Sequence, residues 1–137
     1  MGGLATAAAF IWFGMVAAIS FLETPLKFRA PGITVPLGLG IGRLVFKALN
    51  IAESVLAIAL LAALASGRAD GRAWIPTVIA TACLMIQVAA LRPRLDRRAA
   101  AVIAGDEIAP SRLHVGYVAL EVIKAFTLLT AGVLSLA

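Results

Sequence analysis

One cysteine, one histidine and one tyrosine are all that these 137 residues hold of those types, and charged side chains make up only 14% of the chain. Cys83 on its own excludes an internal disulfide, and within an apolar run it reads as a small buried hydrophobe. His114 on its own excludes bis-histidine haem ligation within one chain, and no Cys, His and carboxylate set has zinc spacing. Met15, Met85 and Cys83 do not form a soft copper site, because residues 83 and 85 point to different faces of a helix. Neither metal nor cofactor is therefore expected. Nucleophilic catalysis lacks a serine or cysteine with a base beside it. The formal net charge of +5 does not point to nucleic acid, because the basic residues sit in loops beside long apolar stretches.

Apolar side chains fill the space that charge leaves. They make up 62% of the chain, with a mean hydropathy of +1.02, against about 45–50% in soluble domains. Lipid, not water, is the solvent this composition fits. The pattern predicts one transmembrane domain over 1–137, all-α, with spans near 4–22, 44–65, 74–91 and 115–137. The first span lacks a basic n-region and is longer than the apolar region of a secretory signal, so it reads as retained. At 1.5 Å per residue its length is about 28 Å, close to the hydrocarbon thickness. Thr24-Pro25 is expected to end it, since proline lacks an N–H and restricts its predecessor. Ser66-Gly67 closes the second span, Arg92-Pro93 the third, and Ser111 suits an N-cap for the fourth. Between spans three and four, Leu95, Ala99, Val102 and Ile103 recur opposite Arg94, Arg97 and Arg98, which predicts a short amphipathic helix on the membrane surface.

Short loops make consecutive spans antiparallel, giving an antiparallel four-helix bundle. Lys27, Arg29, Arg43, Lys47, Arg92, Arg94, Arg97, Arg98 and Arg112 then share one side, against only Arg68 and Arg72 on the other. The positive-inside rule puts the richer side in the cytoplasm and both termini outside.

Polar residues inside the spans are the sharpest signal. Arg43, Lys47, Asn50 and Glu53 follow at offsets of four, three and three; His114, Tyr117, Glu121 and Lys124 follow at three, four and three. Each set forms one helical stripe entering from the basic side, and Gln87 lies at comparable depth. An ionisable group at mid-span costs at least about 2.5–3.5 kcal/mol, so these side chains need partners or water. Depth pairs Glu53 with Lys124, and Glu121 with Lys47 or Arg43. The nine residues together predict a cytoplasmic-side polar pocket. Gly38, Gly40 and Gly42 ahead of Arg43 add open backbone N–H groups suited to a phosphate or carboxylate, or else permit tight packing at the helix entry.

The stretches 19–31 (Ile-Ser-Phe-Leu-Glu-Thr-Pro-Leu-Lys-Phe-Arg-Ala-Pro), 42–53 and 114–124 resemble a family of bacterial four-span integral membrane proteins without an assigned activity. The likeness covers nearly the whole chain. It implies a four-helix membrane bundle in the bacterial inner membrane and carries over no site residues. Three functions stay open. The leading one is a non-enzymatic protein whose pocket binds an anionic lipid or small solute, as a transporter component or accessory subunit. A second is an intramembrane enzyme of isomerase or cyclase type with Glu53 and Glu121 as acid and base. A third is a purely structural subunit held by buried charge. Membrane lipids and a homo-oligomer or larger membrane complex are the expected partners, with Gly14 and Ala18 as one small-residue face.

Overall fold

The computed structural model describes residues 2–136, and among these it is helical throughout, with no strand. Four helices are long and apolar enough to cross a membrane: α1 (Gly2–Lys27), α2 (Val35–Ala65), α3 (Gly71–Ile103) and α4 (Leu113–Ser135). They form a helical bundle in which α1 packs against α2 and α4, and α3 packs against the same two. The outer surface is apolar enough for lipid: Leu44 and Ile75 are each 72% exposed and Phe126 68%.

Each start and stop has a local cause. Thr34 caps α2 by accepting from Leu37 N–H at 3.2 Å, and Pro36 stands in the first turn, where its missing N–H costs nothing. Gly67 ends α2 at φ +72° and Gly105 ends α3 at φ +92°, a left-handed conformation that glycine adopts without a Cβ penalty. Asp70 caps the first turn of α3, accepting from Arg72 N–H at 2.8 Å, and the hydrogen-bonded Arg72 guanidinium holds its carboxyl below the usual carboxylate range. Leu113 N–H opens α4 on the Ser111 hydroxyl at 3.1 Å.

Three sequence expectations need correction here. Thr24-Pro25 does not stop α1, and Arg92-Pro93 does not stop the third helix. Each proline follows a π-helical stretch, Ala17–Glu23 in α1 and Gln87–Leu91 in α3. Thr24 N–H reaches the Ile19 carbonyl and Arg92 N–H the Gln87 carbonyl, five residues back. The wide turn shifts the hydrogen-bond register just where a proline would collide with the carbonyl four residues earlier, so the helix continues. In consequence 92–103, the stretch read as a short amphipathic helix, is helical and runs on from the apolar part of α3 without a break. Its Leu95 packs on a small cluster of Phe46, Leu49 and Tyr117. Finally, α2 begins at Val35, nine residues before the expected start, so Gly38, Gly40 and Gly42 lie inside the helix. Their N–H groups serve the helix and form no anion cradle. Gly38 has a packing reason instead, since a Cβ there would run into the Phe28 ring.

The bundle has two unlike halves. Where α1 starts and α4 ends, Ala5, Ala8, Ala9, Leu60, Ala63, Leu64, Leu128 and Ala131 close the core, small residues letting the helices approach. Thr6 Oγ1 ties this end by donating to the Ser135 carbonyl at 2.9 Å. The other half, reached through the π-helical stretches, holds the buried charged groups.

Candidate functional site

Lys124 is the centre of the buried polar groups. It is fully buried, and its Nζ lies 2.6 Å from Glu53 Oε2, 2.5 Å from Glu121 Oε1 and 2.6 Å from Gln87 Oε1. Three donors meet three acceptors, which is the full capacity of an ammonium group. Glu53 Oε2 also accepts from Trp12 Nε1 at 2.7 Å, and Glu121 Oε1 from Gln87 Nε2 at 2.7 Å. The Ser20 hydroxyl donates to the second oxygen of Glu121. All four helices thus supply a side chain: Trp12 and Ser20 from α1, Glu53 from α2, Gln87 from α3, Glu121 and Lys124 from α4.

The π-helical stretches take part directly. Ser20 lies within the first and Gln87 opens the second, and both donate to Glu121. A π turn displaces one residue off the regular helical stripe, which is why such turns gather at functional positions. Here both displaced residues face one carboxylate.

The expected pairing of Glu53 with Lys124 is present. Glu121 does not pair with Lys47 or Arg43, however. It stands one turn from Lys124 on the same helix and shares that ammonium, while Lys47 lies in a groove between α2 and α3. The nine predicted residues consequently divide. Glu53, Gln87, Glu121 and Lys124 meet in the buried network; Arg43, His114, Tyr117 and Glu121 line a cavity of about 210 Å³; Arg43, Lys47 and Asn50 line the groove.

The cavity lies between α1, α2, α4 and the extension of α3. Lys27, Arg43 and Arg92 give it positive charge, Phe21, Leu39 and Val118 give it apolar walls, and Ser20 and Glu121 bring the buried network to its lining. Glu53 does not line it, so the two carboxylates proposed as acid and base do not face one substrate there. Arg92 reaches over an aromatic pair: its guanidinium carbon lies 4.6 Å from the Phe46 ring centre and 4.5 Å from that of Tyr117. The two rings meet edge to face at 5.8 Å. Stacking of this kind suits a guanidinium that must remain charged with little water around it.

Trp12, Ser20 and Arg92 are not among the sequence candidates. Trp12 carries a signal, since an indole N–H in the middle of an apolar span must find an acceptor. Arg92 counts in the sequence only toward topology. Ser20 needs the π turn, which sequence periodicity does not reveal.

Thr77 is fully buried on α3, and its hydroxyl has no hydrogen-bond partner among the described residues. Thr77→Val keeps the shape and removes the unpaired group, so unfolding stability should stay within about 0.5 kcal/mol of the parent or rise. A thermal melt in detergent followed by circular dichroism checks this; a loss above about 1 kcal/mol would mean that the hydroxyl has a partner in the folded state.

No family model, no curated protein and no solved structure matches this chain. Its chemistry therefore rests on the site itself, in a membrane protein with four candidate spanning helices.

Proposed function

We propose that the protein is a non-enzymatic binder of an anionic amphiphile, a carboxylate or phosphate head on an apolar tail, held in the cavity at the basic end of the bundle. One observation carries this reading. Lys27, Arg43 and Arg92 line a cavity whose walls are otherwise largely aromatic and aliphatic, with Ser20, Thr24, Asp96, His114 and Glu121 as its further polar members, and neither Arg43 nor His114 has a carboxylate partner within 4.0 Å among the described residues. An anion answers the charge and a tail answers the walls.

The same reading takes the helices as an antiparallel bundle in a bacterial inner membrane, with both termini outside and the cavity on the cytoplasmic side. The nine-to-two bias of basic residues supports it, as does the tie between Thr6 and Ser135 near opposite ends of the chain. The closed half argues against a single chain acting as a conduit, since among the described residues its core is mainly alanine and leucine and carries no buried charge beyond Lys124. Service as a transporter component or accessory subunit would need a second copy or a partner. The exposed Gly14 and Ala18 on α1 offer a close-packing face for it.

Dodecyl phosphate, added to the protein in a neutral detergent and detected by native mass spectrometry, tests the reading. It should bind one molecule per chain, with Lys27→Ala and Arg43→Ala each weakening binding about tenfold, the value of one charge-assisted hydrogen bond. Val118→Trp, which fills the cavity, should abolish it. Binding that all three variants leave unchanged would sink the assignment.

A further inference from the structure

The groove between α2 and α3 lies on the other flank of Arg92 and has its own chemistry. Three of its lining residues carry a buried polar atom with no hydrogen-bond partner among the described residues: Asn50 Oδ1, Asp96 Oδ1 and Arg92 Nε. Asn50 is only 8% exposed. Asp96 Oδ1 is 3.8 Å from the nearest Arg92 nitrogen, an ion pair in range but too long for a hydrogen bond. Arg43 and Lys47 stand exposed at the same groove. Groups that need an acceptor therefore sit beside groups that need a donor.

We propose that this groove binds the phosphoethanolamine headgroup of a membrane phospholipid: the phosphate accepts from Arg43, Lys47 and Arg92, and the primary ammonium donates to Asp96 and Asn50. A phosphate alone would leave both acceptors bare, and a choline ammonium has no N–H to give them. A carboxylate acceptor favours an ammonium over a neutral hydroxyl. A bilayer source fits the surroundings, because the groove, of about 620 Å³, also has Leu44, Ile51 and Val88 in its lining, 72%, 60% and 41% exposed, where acyl chains can lie. Arg43, Arg92 and Asp96 line both the groove and the cavity, whereas Asn50 and Lys47 line the groove alone, so this site goes beyond the binding proposed above and variants at 47 and 50 test it apart from the cavity.

The protein is reconstituted in vesicles of equal parts dioleoyl phosphatidylethanolamine, phosphatidylglycerol and phosphatidylcholine, then extracted in mild detergent, and the retained lipid is measured by mass spectrometry. Ethanolamine lipid should be enriched about tenfold over choline lipid, the equivalent of one charge-assisted hydrogen bond. Lys47→Ala, at an exposed position that leaves folding intact, should lower retention of all phospholipids. Asn50→Leu and Asp96→Asn should bring the ethanolamine preference down toward equality. Lys27→Ala, which touches only the cavity, should leave the preference in place. Equal retention of ethanolamine and choline lipids, or enrichment of the glycerol lipid above both, would overturn the proposal. Loss of preference in Lys27→Ala would move the site to the cavity, and displacement of bound lipid by millimolar soluble phosphoethanolamine would assign the groove to a soluble ester instead.

Discussion

Lys124→Met should lose about 3–5 kcal/mol of stability, a large share of the roughly 5–15 kcal/mol a folded domain has, because removing one partner of a buried pair strands the other charge. The effect should be large here, since two carboxylates depend on the one ammonium at 2.6 and 2.5 Å and no other cation lies within 4.0 Å of either among the described residues. Discarding charge from both sides should reverse the loss. In Lys124→Met with Glu53→Gln and Glu121→Gln, the amide oxygen at position 53 still accepts from Trp12, and the amide oxygen at position 121 from Ser20 or Gln87. The triple variant should regain most of the parent stability in a denaturant titration followed by circular dichroism. A single variant as stable as the parent would show that the three charges do not meet.

A neutral triple variant that folds would also separate the two uses of the buried charge. If the network only fixes the register of four helices, replacing it with amides keeps the protein working as well as folded. The network touches the cavity through Ser20 and Glu121, so its loss should also change the field that an anion meets there. Dodecyl phosphate binding by the triple variant would measure that field with the helices still in place.

The four spans and the Glu53 to Lys124 contact are legible in the sequence because each rests on a regular rule: run length for the spans, helical spacing for the stripes. What escapes depends on departures from regularity. A proline in an apolar run is ordinarily a stop, and only the π turns before Pro25 and Pro93 let α1 and α3 run on. The same turns bring Ser20 and Gln87 onto Glu121. The partner of Glu121 escapes for a simpler reason: depth along a helix gives height and not azimuth, and Lys47 points into the α2–α3 groove. Alternating glycines read equally as an anion cradle or as tight helix packing, and the Phe28 ring against Gly38 decides for packing.

Gln87 gives the most discriminating exchange, because its amide does two opposite things: its oxygen accepts from Lys124 at 2.6 Å and its nitrogen donates to Glu121 at 2.7 Å. Gln87→Leu removes both bonds to charged groups and should cost about 3 kcal/mol. Gln87→Glu keeps the acceptor for Lys124 but sets a second carboxylate against Glu121, so it should be at least as harmful. Glu121→Gln alone keeps an oxygen for Lys124, yet takes away one of the two negative charges that Lys124 meets. In the double variant Gln87→Glu with Glu121→Gln, the amide and the carboxylate trade helices. Lys124 again meets two carboxylates and one amide, and a small shift of the amide at 121, whose Oε1 position faces both Lys124 and residue 87, lets its nitrogen donate to the carboxylate at 87. Stability should therefore recover to within about 1 kcal/mol of the parent, a coupling well above the few tenths expected for residues that do not touch. Costs that simply add would mean that α3 and α4 do not exchange this hydrogen bond, and the shared network around Lys124 would lose its third wall.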